Sequence, residues 1–193
     1  MFPVLLRPKS TGYIKLRSAS AYDPPIIEPR YLTDPHDIKT MVEAMKITIK
    51  VGHSPPMRRL GSRLIDKVVP GCEGYKLYSD KYLACLARTL THTIYHPVGT
   101  CKMGAADDPT SVVDPQLRVL GGVKGLRVAD GSIFPSLIGG NTNAPIIMVA
   151  ERLADMIKGK RLPAKSLPHS HYKPYTYDLD YNDVLDRNER DER

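Results

Sequence analysis

The chain has 193 residues, of which 41% are hydrophobic and 25% are charged, so it is long enough and apolar enough to fold around a core. Its net charge of +7 is spread over residues 1–159, because residues 160–193 hold seven basic and seven acidic side chains. No predicted strand or helix concentrates basic residues with interleaved aromatics, and we therefore expect no nucleic-acid partner.

The first half of the chain predicts a strand and a helix. The stretch STGYIKLRSAS, residues 10–20, alternates apolar and basic side chains, which is typical of a half-buried strand. Asp34 and Pro35 then begin a helix over residues 36–51, whose apolar residues recur at helical spacing.

A second helix is predicted over residues 80–90, with Ser79 as its N-cap. Its apolar stripe indicates three inward-facing residues, Leu83, Leu86 and Leu90.

The three cysteines, Cys72, Cys85 and Cys101, lack C-x-x-C spacing, which argues against a zinc knuckle. A Cys72–Cys85 bridge requires an oxidising compartment, and the spacing leaves open whether it forms. The N-terminal MFPVLLRPKS has no basic segment before its apolar run, so it is a poor signal peptide. The apolar run APIIMVA is far shorter than a membrane span, and we expect a soluble chain.

The second half of the chain has a different sequence pattern. Residues 91–143 are short β-like runs separated by turn signals, and GLRVADGS predicts a buried strand from Leu126 to Ala129. A helix then begins at Asn143 as N-cap and stops at Gly159. Its predicted buried stripe consists of Ile146, Val149, Leu153, Met156 and Ile157.

The approach to this last helix, GGNTN, has two glycines followed by small polar residues. A helix N-terminus presents unpaired N–H groups and a partial positive charge, which favours an anionic or electron-rich group. The ordinary alternative is a capped structural helix, and such helices are the more common.

The segment THTIYHPVGTCKMG contains His92 and His96. The residues between them are strand formers, which would place both imidazoles on one strand face about 13 Å apart. With no third ligand in evidence, we predict no metal site. His96 precedes a Pro-Val-Gly turn, where catalytic side chains are often presented, although a lone histidine is more often structural. A Cys101/His96 thiol pair lacks an orienting third group.

Together these stretches resemble a known family. YHPVGTCKMG, VVDPQLRVLGGVKGLRVADGSIFP and GGNTNAPIIMVAERLADMIKG are similar to the C-terminal segment of the glucose–methanol–choline (GMC) flavoprotein oxidoreductases, with the greatest likeness to insect FAD-dependent glucose dehydrogenases that use quinones. RPKSTGYIKLRSAS and PRYLTDPHDIKTMVEAMKI resemble the opening of the same family's substrate domain. The resemblance covers about residues 3–160.

The resemblance implies FAD as cofactor, an alcohol or sugar as small-molecule substrate, and an electron acceptor such as a quinone. It implies that His96 is the base that takes the alcohol proton and that Asn141 is the second catalytic residue. It also implies a set of flavin contacts: Asp130, Gly131, Thr142, Asn143 and Ala144.

The fold that the resemblance implies is α+β, with an antiparallel substrate-domain sheet, helices, and a strand–helix segment that completes an FAD domain. We divide the chain into part of a substrate-binding domain (residues 1–95), a catalytic and FAD-contacting segment (96–160), and a disordered tail (161–193). In isolation, we expect Leu126, Val128 and Ile146 to expose apolar surface.

The sequence contains no G-x-G-x-x-G, the motif that holds the FAD pyrophosphate in such enzymes. We therefore expect the C-terminal part of a longer enzyme, of which this chain alone is inactive and holds FAD weakly or not at all. The family resemblance implies that the full-length enzyme is secreted. The alternative is a truncated, non-catalytic product.

Overall fold

The computed structural model describes residues 1–160, which contain two short strands, four α-helices and one 3₁₀ turn over residues 131–133, joined by long irregular segments. This arrangement confirms the predicted α+β class. The predicted tail, residues 161–193, lies outside the described residues. The elements are β1 (Tyr13–Lys15), β2 (Ile26–Glu28), α1 (Pro35–Gly52), α2 (Pro55–Arg59), α3 (Asp80–Leu90) and α4 (Asn143–Ile157).

The two strands form an antiparallel hairpin in which Tyr13 pairs with Glu28 and Lys15 with Ile26. The strand predicted over residues 10–20 is present, but only over Tyr13–Lys15, and its predicted half-burial is wrong. Ile14 within the strand is 52% exposed, and Leu16 just after it is 82% exposed. The physical reason is that α1 packs against α3 rather than over the hairpin, so alternation along the strand has no core to face.

Helix α1 confirms the prediction to within one residue at each end. Its N-cap Asp34 accepts a hydrogen bond from the backbone N–H of His36 at 2.7 Å, and Pro35 occupies the first turn, where its missing N–H costs nothing. Asp37, in the first turn after that cap, is fully buried.

Helix α3 has its predicted limits, and Ser79 caps it by accepting the N–H of Tyr82. Leu83 is buried as predicted, but Leu90 is 49% exposed, because the helix ends there and its last turn extends beyond the surface that α1 covers. Together α1, α3 and the intervening loop enclose a first core that consists of Val42, Cys72, Tyr82 and Leu83.

A disulfide between Cys72 and Cys85 closes this core, so the bridge that the sequence left open is present. Their Cα atoms are 5.9 Å apart, and the fully buried Cys72 attaches the loop before α3 to the helix itself. The Tyr82 hydroxyl accepts the backbone N–H of Val69 and holds the same loop from the other side.

A second core lies in the C-terminal half and consists of Val113, Leu117, Ile133 and Val149. The segments around this core are turns. They are joined by isolated β-bridges, such as the one between Arg118 and Arg127, rather than by continuous strands. The predicted buried strand over residues 126–129 is therefore wrong. Its partner segment begins at Leu117, whose left-handed φ of 66° limits the pairing to one bridge.

Of the three apolar side chains expected to be exposed in this region, one is exposed and two are half-buried. Leu126 is 53% exposed, as anticipated. Val128 is half-buried against the second core, and Ile146 is half-buried beside Gly131.

Helix α4 packs on the second core through Val149 and Leu153, and Gly159 ends it with a φ of 68°. Two details of the prediction are wrong. The N-cap is Thr142, not Asn143, and Ile157 is 69% exposed because it lies in the last turn, beyond the core. Within residues 1–160, no helix is both long and apolar enough to cross a membrane.

The two cores draw on separate stretches, residues 42–86 and 103–153. The proposed boundary between residues 95 and 96 stays a prediction.

Candidate active site

The segment that carries His96 is not a strand. Residues 91–98 are irregular, and Tyr95 has a left-handed φ of 64°. The Tyr95 N–H donates to the Thr93 hydroxyl at 3.0 Å, a local bond that competes with strand pairing. His92 and His96 therefore do not share a strand face, which corrects the sequence interpretation. No group of three or more His, Cys, Asp or Glu among the described residues is arranged to hold a metal.

The backbone after His96 lies along a 3₁₀ turn over residues 131–133. The N–H of Cys101 donates to Ser132 O at 2.9 Å, and that of Met103 donates to Ile133 O at 2.8 Å. These two bonds fix the histidine-bearing segment against the turn that contains Asp130 and Gly131.

Gly131 is buried where three segments meet. A Cβ at this position would lie 3.2 Å from Cδ1 of Ile146 on α4 and 3.5 Å from the carbonyl oxygen of Pro97. A side chain at this position would push against the end of the Ile146 side chain, so the absence of a Cβ at Gly131 favours the close approach of α4 and the histidine-bearing segment to the same turn.

Asp130 caps the 3₁₀ turn. Its Oδ1 accepts the N–H of Ser132 at 2.8 Å and also the Ser132 hydroxyl, while the side chain stays exposed. The structure thus gives Asp130 a local structural role, and its predicted contact with a flavin nucleotide stays a prediction.

His96 and Thr142 are in direct contact. The Thr142 hydroxyl lies 3.0 Å from Nδ1 of His96, although the two residues are 46 positions apart. Thr142 is 4% exposed, and His96 is half-buried. The same Nδ1 lies 3.0 Å from the carbonyl oxygen of Tyr95. The fold therefore places the imidazole at the N-terminus of α4.

The remaining predicted site residues are close neighbours of Thr142 in the sequence. Asn141 precedes Thr142, and Asn143 and Ala144 form the first turn of α4, all three with exposed side chains. No side chain among residues 1–160 caps that turn. Its N–H groups and the positive end of the helix dipole are thus available to a bound group.

A cleft of about 440 Å³ is formed in part by the segment that precedes Asn141 in the chain. It is lined by Arg7 and Pro8 and by residues 136–139. Sequence reasoning missed this cleft, since Arg7 and Gly139 are remote in the chain.

It also missed the side-chain role of Thr142 and the left-handed Tyr95. The signal for Thr142 was present only as a polar residue at a helix start, which predicts a cap and not a contact with an imidazole. Tyrosine gives no signal for a positive φ, because residues other than glycine, asparagine and aspartate seldom adopt it.

Comparison with known proteins shows the family to which the chain is related. A family model described as GMC oxidoreductase matches residues 8–150. Glucose dehydrogenase [FAD, quinone] of Drosophila pseudoobscura pseudoobscura is 48% identical over 158 residues, which are 82% of this chain and 25% of that protein. Alcohol dehydrogenase [acceptor] of Pseudomonas putida is 48% identical over 155 residues, which are 80% of this chain and 26% of that protein.

Among solved structures, an FAD-dependent oxidoreductase from Chaetomium thermophilum superposes with a TM-score of 0.68 at 31% identity, over 80% of this chain and 25% of that one. The chain thus spans about a quarter of the length of the relatives it matches. Because the family model and both relatives cover most of its residues, the chain belongs to the GMC oxidoreductase family.

Proposed function

We propose that this chain provides the catalytic and flavin-contacting part of an FAD-dependent oxidoreductase that oxidises the CH–OH group of an alcohol or sugar. The observation that carries the proposal is the contact between His96 and Thr142, which joins a base to the N-terminus of α4. Family membership and relatives named for glucose and alcohol oxidation support the choice of substrate class.

The residues at the start of α4 fit a flavin. The first turn is uncapped by side chains, and its first two residues, Asn143 and Ala144, are small or polar and exposed. Backbone N–H groups of Asn143 and Ala144 would hold the electron-rich edge of the ring system, with the helix dipole favouring negative charge there. Bound FAD supplies the acceptor for the hydride that leaves the substrate carbon.

The protein's own residues handle the proton. An alcohol that gives up hydride must also lose its hydroxyl proton, and His96 is the base that removes it. The Asn141 amide donates a hydrogen bond to the substrate oxygen without competing for the proton. For the electron acceptor we propose a quinone, which the name of the Drosophila relative includes.

The test is the variant His96→Ala in the FAD-loaded enzyme that contains this chain. We expect turnover to fall by about 10²- to 10⁴-fold, as for loss of a general base. His92→Ala is the matched control, since His92 is an exposed imidazole four residues away. Equal turnover in the two variants would remove His96 from the chemistry.

A separate experiment addresses the alternative of a non-catalytic truncated product. The 193-residue chain is titrated with FAD and followed by flavin fluorescence. Weak binding is expected, because the sequence has no G-x-G-x-x-G to hold the pyrophosphate. Sub-micromolar affinity would show that the chain holds FAD with its own residues.

A further inference from the structure

The environment of His96 Nδ1 determines which ring nitrogen can take a proton. Nδ1 lies 3.0 Å from the Tyr95 carbonyl oxygen and 3.0 Å from the Thr142 hydroxyl oxygen. A carbonyl oxygen only accepts hydrogen bonds, whereas a hydroxyl can donate or accept. The two neighbours therefore make different demands on the imidazole.

If Nδ1 carried no proton, its lone pair would face the lone pairs of the Tyr95 carbonyl at 3.0 Å, which is unfavourable. If Nδ1 carries the proton, its single N–H donates to the Tyr95 carbonyl oxygen and is shared with the Thr142 hydroxyl oxygen in a three-centre bond. The arrangement thus favours the Nδ1–H tautomer and leaves Nε2 with the free lone pair.

The backbone conformation at Tyr95 accompanies the contact between its carbonyl oxygen and His96 Nδ1. Its φ of 64° is unfavourable for tyrosine, and its side chain is 83% exposed, so burial of the ring does not compensate. Strained backbone of this kind persists where the surrounding structure imposes it. Here it accompanies a carbonyl aimed at the neighbouring imidazole.

Thr142 departs from the usual behaviour of its position. A threonine at an N-cap normally accepts an N–H of the first helical turn through its hydroxyl. Thr142 makes no such cap, and its buried hydroxyl contacts His96 instead. The Thr142 hydroxyl therefore contacts the imidazole and does not stabilise the helix as a cap.

We propose that Thr142 is a positioning residue. Its hydroxyl fixes the His96 ring against α4 and, together with the Tyr95 carbonyl, holds the Nδ1–H tautomer so that Nε2 is the basic nitrogen. This inference rests on the proposed role of His96 as base, and it assigns to the Thr142 side chain a function beyond the backbone contact with flavin.

Kinetics of the FAD-loaded enzyme test the positioning role. Thr142→Val removes the hydroxyl and keeps the side-chain shape, and we expect kcat to fall by about 10- to 100-fold, because the bond that forms with the protonated ring is charge-assisted. KM and FAD affinity are expected to change less than threefold. Thr142→Ser, which restores the hydroxyl, should recover most of kcat.

The matched control is Thr40→Val. Among residues 1–160, the Thr40 hydroxyl donates to the His36 carbonyl within α1, far along the chain from the site. If Thr142→Val retains the kcat of Thr40→Val, or if Thr142→Ser is as impaired as Thr142→Val, the hydroxyl does not position His96 and the inference is overturned.

The tautomer has its own readout. In ¹⁵N-histidine-labelled protein, protonated and bare ring nitrogens resonate apart, and the signal absent from His96→Ala identifies His96. We expect a protonated Nδ1 and a bare Nε2, with exchange between tautomers in Thr142→Val. A protonated Nε2 in the unsubstituted protein would overturn the inference. Because this measurement needs no turnover, it stands or fails separately from the proposed catalytic role.

Discussion

The carboxylate of Asp37 is the buried anchor of the N-terminal segment, and its replacement by asparagine is the sharpest test of the fold. Asp37 is fully buried in the first turn of α1. Oδ1 accepts the N–H of Lys9 at 2.9 Å, and Oδ2 accepts the N–H of Ser10 at 2.8 Å and its hydroxyl at 2.5 Å. Three donors from a segment 27 and 28 residues away thus converge on one side chain.

Asp37→Asn keeps the shape but replaces one acceptor oxygen with an NH₂ group. With the NH₂ at the Oδ2 position, the backbone N–H of Ser10 faces a donor and loses its partner. With the NH₂ at the Oδ1 position, the Lys9 N–H faces a donor and keeps only its longer contact of 3.1 Å to the remaining oxygen. An unsatisfied buried donor costs about 1–3 kcal/mol, and the remaining bonds lose their charge assistance. We therefore expect the free energy of unfolding to fall by roughly 2–4 kcal/mol.

Urea unfolding of the 193-residue chain measures this change through the transition midpoint at unchanged slope. Asp34→Asn is the matched control, because Asp34 caps the same helix and asparagine caps equally well. A loss in Asp37→Asn no larger than that in Asp34→Asn would refute the reasoning.

The pH dependence supplies a second check. Burial opposes ionisation of Asp37, but the hydrogen bonds from Lys9 and Ser10 outweigh it, and the pKa is lowered from its ordinary value of 3.8. A carboxylate with a lowered pKa stabilises the fold above its unfolded pKa and loses that contribution as the pH falls through its folded pKa. The stability difference between the unsubstituted protein and Asp37→Asn should therefore shrink as the pH is lowered below 3.8.

Two further predictions concern the first core. Reducing the Cys72–Cys85 bridge, which closes a loop of sequence separation 13, should lower the free energy of unfolding by about 3 kcal/mol, measured by urea unfolding with and without reductant. Alkylation of the unreduced, unfolded chain should label Cys101 alone; three labelled thiols would show that the bridge does not form. Leu83 is 1% exposed, and Leu83→Ala should lower the free energy of unfolding by about 2–5 kcal/mol. Leu90 is 49% exposed, and Leu90→Ala should lower it by less than about 1 kcal/mol. Comparable shifts of the melting temperature in the two variants would contradict the packing described.

Local signals in the sequence predicted the helices well. Asp34 before Pro35 and Ser79 before an apolar stripe are caps whose effect depends on neighbouring backbone N–H groups, so α1 and α3 could be placed to within a residue. The same logic failed at Thr142, where the hydroxyl contacts an imidazole from a distant segment instead of its own helix.

Burial was harder to predict, because a periodic apolar pattern does not say which element will cover it. Leu16 and Leu90 have the pattern of buried residues yet face solvent, since the hairpin and the last turn of α3 lie outside the surface that α1 covers. The strand predicted at Leu126 failed for a related reason, as its pairing depends on a turn conformation at Leu117.

By itself, the sequence determined the family resemblance, the α+β class, the helix limits and the candidates His96 and Asn141, because these depend on residue identity and on contacts within a few positions. Only the tertiary structure decided that Cys72 pairs with Cys85, that Gly131 leaves room for two segments, and that Thr142 touches His96. Those contacts join residues 13 to 46 positions apart, and no local pattern specifies the distance between such side chains until the backbone between them has folded.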